Sequence, residues 1–120
     1  MEHTHLPHDH GNYSQEEYDQ ILKHTDFQTV SDIFKQLSDS SRLQIYWLLC
    51  HCEECVINIS AMVSMSSPAV SHHLRILKSN GLIVSRREGK EVYYRASDSE
   101  TSKELHHMIE IMMSIHCPIE

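Results

Sequence analysis

Apolar residues recur three or four positions apart through most of the chain, a spacing that predicts helices with one buried face. Ser14 followed by Glu17 forms a capping-box pattern and is predicted to open a first helix. The next apolar series predicts a second helix and comprises Phe27, Val30, Ile33, Phe34 and Leu37. We expect it to end at SDSS, where Ser40 or Ser41 caps a third helix, RLQIYWLL. That helix is apolar on most sides, so we expect it to be the central buried one.

The middle of the chain shows a helix-turn-helix pattern. VINISAMV repeats its apolar residues with helical spacing, and MSSP then interrupts it. Ser67 and Pro68 are expected to be the N-cap and first turn of the next helix, AVSHHLRILKSNG, which ends at a glycine cap. Its inward residues are predicted to be Val70, Leu74 and Leu77. Its outward face is polar and basic, with Ser71, His72, Arg75 and Lys78.

The segment LIVSRREGKEVYYRA alternates around a turn at Glu88, Gly89 and Lys90 and predicts a β-hairpin. A hairpin directly after a recognition helix is a wing, and its cations are placed to reach phosphates: Arg86, Arg87, Lys90 and Arg95. The predicted fold class is therefore mainly α with a small β-hairpin wing.

A last helix is predicted from about Glu100 to Ile115. It carries an apolar stripe of Leu105, Met108, Ile109, Met112 and Ile115. On so small a domain, we expect this stripe to be buried against a second subunit, the alternative being its own core.

Composition and charge narrow the class of protein. The 120 residues carry a net charge of −7, which argues against general affinity for nucleic acid, but six of the ten basic residues lie between positions 75 and 95. A local basic face on an acidic body can hold a phosphate backbone. Residues 1–13 are predicted to be a flexible histidine-rich tail, and 14–120 one domain. With no secretion signal or apolar span, we expect a cytoplasmic protein without membrane contact.

LSDSSRLQIYWLL and ECVINISAMVSMSSPAVSHHLRILKSNGLIVSRREGKEVYYRA resemble the ArsR/SmtB family of metal-sensing winged-helix repressors. The resemblance implies a winged helix-turn-helix homodimer built from the first and last helices. It implies binding to double-stranded operator DNA without metal and release when metal binds, which controls metal efflux or resistance genes. It places Ser66, Ser67, Ser71, His72 and Arg75 in the major groove, and Arg86, Arg87 and Lys90 at the wing.

The residue types agree with this placement. Arg75 can pair bidentately with guanine, and Lys78 extends the same outward face. His72 and His73 are adjacent and point about 100° apart on a helix, so they do not converge on one ion. We expect His72 to contact DNA and His73 to pack.

The cysteines suggest a first metal site. Cys55 lies where the family's E-x-C-V motif has its first cysteine, whereas Ile57 replaces the second. Cys52 is a substitute partner if both lie on one helix, since residues three apart share a face. Cys50 points elsewhere on a continuous helix, but a turn at HCEE would gather all three thiols, so Cys50 is left open as core residue, third ligand or half of a redox pair. Histidines of the tail, His8 and His10 among them, complete a sulfur and nitrogen set suited to Zn(II) or Cd(II), or are only a weak chelator.

The last helix suggests a second site and an alternative chemistry. The resemblance expects ligands at positions 111 and 114, which Ile111 and Ser114 do not supply. His107 with Glu110, or His106 with Glu110, is a reworked site one turn earlier or merely polar surface. Alternatively Cys50 and Cys117 form a dithiol that senses oxidants or persulfides on the same fold, and Cys117 is also a candidate ligand. A small zinc enzyme is the remote alternative, because these groups do not converge on one pocket.

Overall fold

The N-terminal part of the chain forms the capping box that the sequence predicts. A computed structural model describes residues 6–23 and 26–116, without the side chains of 115 and 116, and divides the chain into two compact units, 1–32 and 33–120. In the first unit, helix α1 spans Gln15–Lys23. The Ser14 hydroxyl accepts a hydrogen bond from the Glu17 N–H at 3.2 Å, and the Glu17 carboxylate accepts from the Ser14 N–H at 3.3 Å. Residues 6–13 form no helix or strand.

Helix α2 spans Phe27–Gln36, and α3 spans Ser40–Leu49. The cap of α3 is Asp39, not Ser40 or Ser41, because the Asp39 carboxylate accepts the Arg42 N–H at 3.0 Å. This bond lowers the pKa of Asp39. A carboxylate at this position also interacts favourably with the positive end of the helix dipole.

A helix-turn-helix and a three-stranded antiparallel sheet complete the second unit. The elements are β1 (Glu54–Cys55), α4 (Val56–Val63), α5 (Ser67–Ser79), β2 (Ile83–Glu88), β3 (Glu91–Ala96) and α6 (Glu100–His116). The sheet order is β1-β3-β2, and the β2–β3 hairpin pairs Ile83 with Ala96 and Glu88 with Glu91. The predicted wing is confirmed. Strand β1 was not predicted, because two residues are too short for a periodic signal.

The core of the second unit lies between α3, α5 and the sheet, and α6 covers it. Its buried members are Ile45, Tyr46, Leu49, Ile59, Val70, Leu74, Leu77, Leu82, Ile83, Leu105 and Ile109. The predicted inward residues of α5 are thus confirmed. The sequence also anticipated that α3 is central.

The apolar stripe of α6 has two different environments. Leu105 and Ile109 are buried in the protomer's own core, whereas Met108 and Met112 are exposed. The expectation that the whole stripe faces a partner subunit is therefore wrong for Leu105 and Ile109. Periodicity alone does not distinguish a side that faces the core from a neighbouring side that does not.

The buried hydroxyl of Tyr46 on α3 contacts Ser102 on α6. Tyr46 is 0% exposed and Ser102 is 2% exposed. The Tyr46 hydroxyl lies 2.7 Å from the Ser102 hydroxyl and donates to the Ser102 carbonyl at 3.1 Å. Burial raises the pKa of Tyr46 to about 12, so it stays neutral. Within the described residues, no helix is long and apolar enough to cross a membrane.

We expect Tyr46→Phe to lower the free energy of unfolding by about 1–3 kcal/mol, because the buried polar atoms of Ser102 lose their partner. Urea denaturation followed by circular dichroism measures this. In a double-mutant cycle with Ser102→Ala, the two losses should not add. Additive losses would contradict the coupling.

Candidate functional site

The N-terminal end of α5 presents hydroxyl groups to solvent. Ser66, not Ser67, is the N-cap, because its hydroxyl accepts the Ala69 N–H at 3.3 Å. Ser67 is the first residue of the helix, Pro68 follows it, and all three residues Ser66, Ser67 and Pro68 are exposed. Proline lacks the N–H that the first turn leaves unbonded, so it fits here.

The turn between α4 and α5 fixes the direction of α5. Ser64 adopts φ 55°, the left-handed conformation usually taken by glycine, and its N–H donates to the Ser60 carbonyl. The Met65 N–H donates to the same carbonyl at 3.2 Å, and the Ser60 hydroxyl donates to the Met65 carbonyl. Three hydrogen bonds therefore hold a turn that has no glycine.

The outward face of α5 carries the predicted groove residues. His72 and Arg75 are exposed, and Ser71 is half-buried. His73 packs: its Nδ1 accepts a hydrogen bond from Arg42 Nε at 3.2 Å, and burial lowers its pKa. The two histidines thus point in different directions, as expected for adjacent helix positions.

The basic residues of the wing fall into two groups. Arg86 pairs with Glu53 and with Glu88, each at 2.7 Å, and its guanidinium lies 4.9 Å from the centre of the Tyr93 ring. The hydrogen bonds that Arg86 donates to these carboxylates raise the pKa of Arg86 further, and the one to Glu53 lowers the pKa of Glu53. Arg95 pairs with Asp98 at 3.2 Å.

A second group of cations, which come from α5 and from the wing, is not neutralised by carboxylates in the described part of the chain. Among the residues that the structure describes, no carboxylate pairs with Arg75, Arg87 or Lys90. Lys78 Nζ donates to the Ser85 hydroxyl at 2.7 Å, which fixes it between α5 and β2. Arg75, Lys78, Arg87 and Lys90 form what we call the basic face.

The three described cysteines do not lie on one helix. Helix α3 ends at Leu49, Cys50 is its C-cap, and Cys55 belongs to β1 and is buried. The expectation that Cys52 and Cys55 share a helix face is therefore wrong, because the backbone leaves the helix to pair with β3. Cys52 is half-buried and its thiol donates to the Leu48 carbonyl at 3.4 Å.

Cys50 lies beside Tyr46 and near Glu110. Burial raises its pKa from 9.0 to about 11; the Tyr46 hydroxyl opposes this shift and the Glu110 carboxylate adds to it. Cys50 is thus mostly a neutral thiol at neutral pH. It lines a cleft of about 290 Å³ together with Cys52, Glu53, Arg95, His106 and other residues.

A group of potential metal ligands joins the end of α3 to α6. Ligand atoms of His51, His106 and Glu110 all lie within 4.8 Å of one another. The structure brings His106, not His107, to Glu110; His107 is exposed and outside the group. Sequence reasoning missed His51, because it is 55 residues from His106 and no spacing rule relates them.

Two further candidate ligands belong to the first unit, and one lies outside the described residues. His8 and His10 belong to the first unit, where their rings stack with centroids 5.9 Å apart. Cys117, and with it the proposed dithiol partner of Cys50, lies outside the described residues.

The fold and the exposed end of α5 define a winged helix-turn-helix protein, and comparisons with known proteins support this class. A homodimeric winged helix-turn-helix DNA-binding domain from Mycobacterium bovis, a possible ArsR-family regulator, superposes with a TM-score of 0.66 at 29% identity over 88% of this chain and 92% of that one. Residues 39–85 match the family described as bacterial regulatory protein, arsR family.

Two curated relatives narrow the class to a family. The arsenic resistance transcriptional regulator ArsR2 of Pseudomonas putida is 36% identical over 71% of this chain and 74% of its own length. A cadmium resistance regulatory protein, the CadC homolog of Staphylococcus aureus, is 40% identical, and the match spans 62% of each chain. The chain belongs to the ArsR family of bacterial regulatory proteins. The relatives are regulators, in agreement with the expectation that this chain is not an enzyme.

The raised pKa of Cys50 predicts slow alkylation in the folded protein. At pH 8 its thiolate population should be roughly 100-fold lower than that of a thiol with the ordinary pKa, and the higher nucleophilicity of a more basic thiolate restores about tenfold of this. We therefore expect iodoacetamide to modify Cys50 about tenfold more slowly in the folded protein than in urea, with the rate rising as the pH approaches 11. Peptide mass spectrometry measures this, and equal rates would contradict it.

Proposed function

We propose that this protein is a cytoplasmic, homodimeric repressor that binds operator DNA and releases it when a divalent metal ion, Zn(II) or Cd(II), binds. The observation that carries the proposal is the exposed N-terminal end of α5, followed on the same helix by the exposed Arg75 and Lys78. Hydroxyls at the start of the helix and N–H groups at its positive end suit phosphate contacts, and Arg75 suits a guanine in the major groove.

The charge distribution supports DNA binding despite the negative net charge. Arg75, Arg87 and Lys90 have no carboxylate partner among the described residues, so their charge is available to phosphates. Arg86 and Arg95, in contrast, already pair with carboxylates. We therefore assign the phosphate contacts of the wing mainly to Arg87 and Lys90.

Exposed apolar side chains support a dimer of this chain. Met108, Ile111, Met112 and Met113 are exposed on α6, and Ile21, Leu22, Phe27 and Val30 are exposed on α1 and α2. A second copy covering these side chains removes apolar area from water, which favours association. The Mycobacterium bovis neighbour is itself homodimeric.

Release by metal is supported by the potential ligand groups of the chain. The chain holds imidazole, thiol and carboxylate groups that suit Zn(II), with Cd(II) favoured by sulfur. A relative is named for cadmium resistance. An ion that stabilises one dimer geometry weakens the DNA-binding one by linkage, and DNA weakens metal binding by the same factor.

We expect Arg75→Ala to weaken DNA binding by about 1–3 kcal/mol, roughly 5- to 150-fold, because a base contact is lost. Fluorescence anisotropy with a labelled duplex, selected from a random pool by the wild-type protein, measures this. Lys103→Ala, which removes an exposed charge from α6, is the matched control. Arg86→Ala should cost less than Arg87→Ala, and the reverse order would contradict our assignment of the wing.

We expect saturating Zn(II) or Cd(II) to weaken binding of the reduced protein to the same duplex by about 5- to 150-fold. Anisotropy titrations with and without each ion measure the change. Unchanged affinity would contradict metal release. Release by an oxidant or persulfide donor without metal, abolished in Cys117→Ser, would favour the dithiol alternative instead.

A further inference from the structure

We propose that His51, His106 and Glu110 form a metal site within a single protomer, selective for a borderline divalent ion such as Zn(II). The site joins the C-terminal end of α3 to the middle of α6. It contains no cysteine, and it adds His51 from the end of α3 to the His106 and Glu110 pair that the sequence suggested on the last helix. Its regulatory consequence rests on the proposed function, whereas its existence does not.

The distances between the three side chains suit a small ion. Nε2 of His106 lies 2.9 Å from a Glu110 carboxylate oxygen, and the His51 and His106 rings have centroids 4.8 Å apart. Two ligands of a tetrahedral ion with bonds of 2.0–2.1 Å are about 3.3 Å apart. The three ligand atoms lie within 4.8 Å of one another, so shortening their separations by at most about 1.5 Å brings them to the spacing of ligands around a tetrahedral ion. His51 is exposed, so its ring has room for a displacement of this size.

The hydrogen bond of the His51 ring uses Nδ1 and leaves Nε2 available to a metal ion. Its Nδ1 lies 2.8 Å from the Trp47 carbonyl, so Nδ1 carries the proton and donates it. Nε2 is then the unprotonated nitrogen, and its lone pair can bind a metal ion. Histidines that bind metals commonly donate their second nitrogen to a carbonyl in this way, which fixes the tautomer and ring orientation.

His106 places one of its ring nitrogens next to Glu110. Its Nε2 is buried and has no hydrogen-bond partner among the described residues. The Glu110 carboxylate lies 2.9 Å away without forming a hydrogen bond to it. Metal binding at Nε2 requires the neutral imidazole, and the ion then replaces the contact between Nε2 and the Glu110 carboxylate.

The ligand types decide which ion is preferred. Two imidazoles and one carboxylate suit Zn(II), and also Co(II) and Ni(II), better than the soft Cd(II). Cys50 lines the same cleft as His106, but its thiol is not among the three ligand atoms that lie within 4.8 Å of one another. We therefore expect the site itself to prefer Zn(II) over Cd(II).

The connection after α3 joins the site to the wing. His51 is followed two residues later by Glu53, which pairs with Arg86 at 2.7 Å and lies 3.9 Å from Arg95. A movement of His51 toward α6 therefore acts on the backbone that positions a wing ion pair. Arg86 is adjacent to Arg87 on β2, so metal at the site acts on the hairpin that carries Arg87 and Lys90.

Trp47, the only tryptophan, reports on the site directly. Its ring centroid lies 4.4 Å from that of His51 and 5.4 Å from that of His106. Titration of the reduced full-length protein with Co(II) should quench its emission saturably, and Zn(II) should restore it. We expect His51→Ala, His106→Ala and Glu110→Gln each to raise the Co(II) concentration for half-quenching at least about tenfold.

His107→Ala is the matched control, since it removes a neighbouring exposed imidazole and should leave the titration unchanged. His51 is exposed at a helix end, so His51→Ala keeps the test valid if a helix α6 variant fails to fold. Quenching of His51→Ala and His106→Ala at the wild-type concentration would overturn the site. A sulfur-to-Co(II) charge-transfer band in the wild type would overturn its cysteine-free ligand set.

A duplex-binding titration of the same variants separates the two proposals. If Zn(II) releases DNA from the wild type but not from His51→Ala, the regulatory role of the site is supported. If Zn(II) releases DNA equally from both, the regulatory role fails and the proposed function stands. If Co(II) quenching behaves as expected but no ion alters DNA binding, the site stands and metal release fails.

Discussion

The buried hydroxyl of Tyr46 is the constraint on which the arrangement of the second unit depends. A fully buried hydroxyl needs a partner, and Ser102 is the one that α6 supplies, at 2.7 Å. The Ser102 hydroxyl also donates to the Leu82 carbonyl at 3.4 Å, next to the start of β2. One small polar group therefore fixes α6 against both α3 and the sheet, and the meeting of His51 with His106 and Glu110 follows from that position.

The second organising feature is the division of positive charge at the wing. Glu53 lies just before β1 and neutralises Arg86, while the Arg86 guanidinium also lies over the Tyr93 ring. This leaves Arg87 and Lys90 as the outward cations of the hairpin. An acidic protein thereby keeps a small basic face next to α5, and local pairing matters more than the net charge of −7.

The connection 50–55 shows where reasoning from sequence reached its limit. Helical spacing assigned Cys52 and Cys55 to one face, but the backbone pairs Glu54 with Tyr94 and Cys55 with Tyr93 instead. That pairing depends on residues about 40 positions away, and no local pattern contains it. The same backbone path places Cys50 at the C-cap of α3, Cys52 in the connection and Cys55 in β1. It also leaves the His51 ring next to His106 of α6.

Hydrophobic period, capping residues and turn residues act locally, so the helices, the helix-turn-helix, the wing and the outward face of α5 follow from the sequence. The family follows from the resemblance of its motifs. Even there, neighbouring choices such as Asp39 over Ser40, and Ser66 over Ser67, were decided by which side chain reaches the free N–H groups. The packing of distant segments settled which side of the α6 stripe is buried, which wing arginines are paired and which imidazole of α6 meets Glu110. Those outcomes depend on contacts between distant segments, and their physical reason is the packing of α6 and β3 against α3.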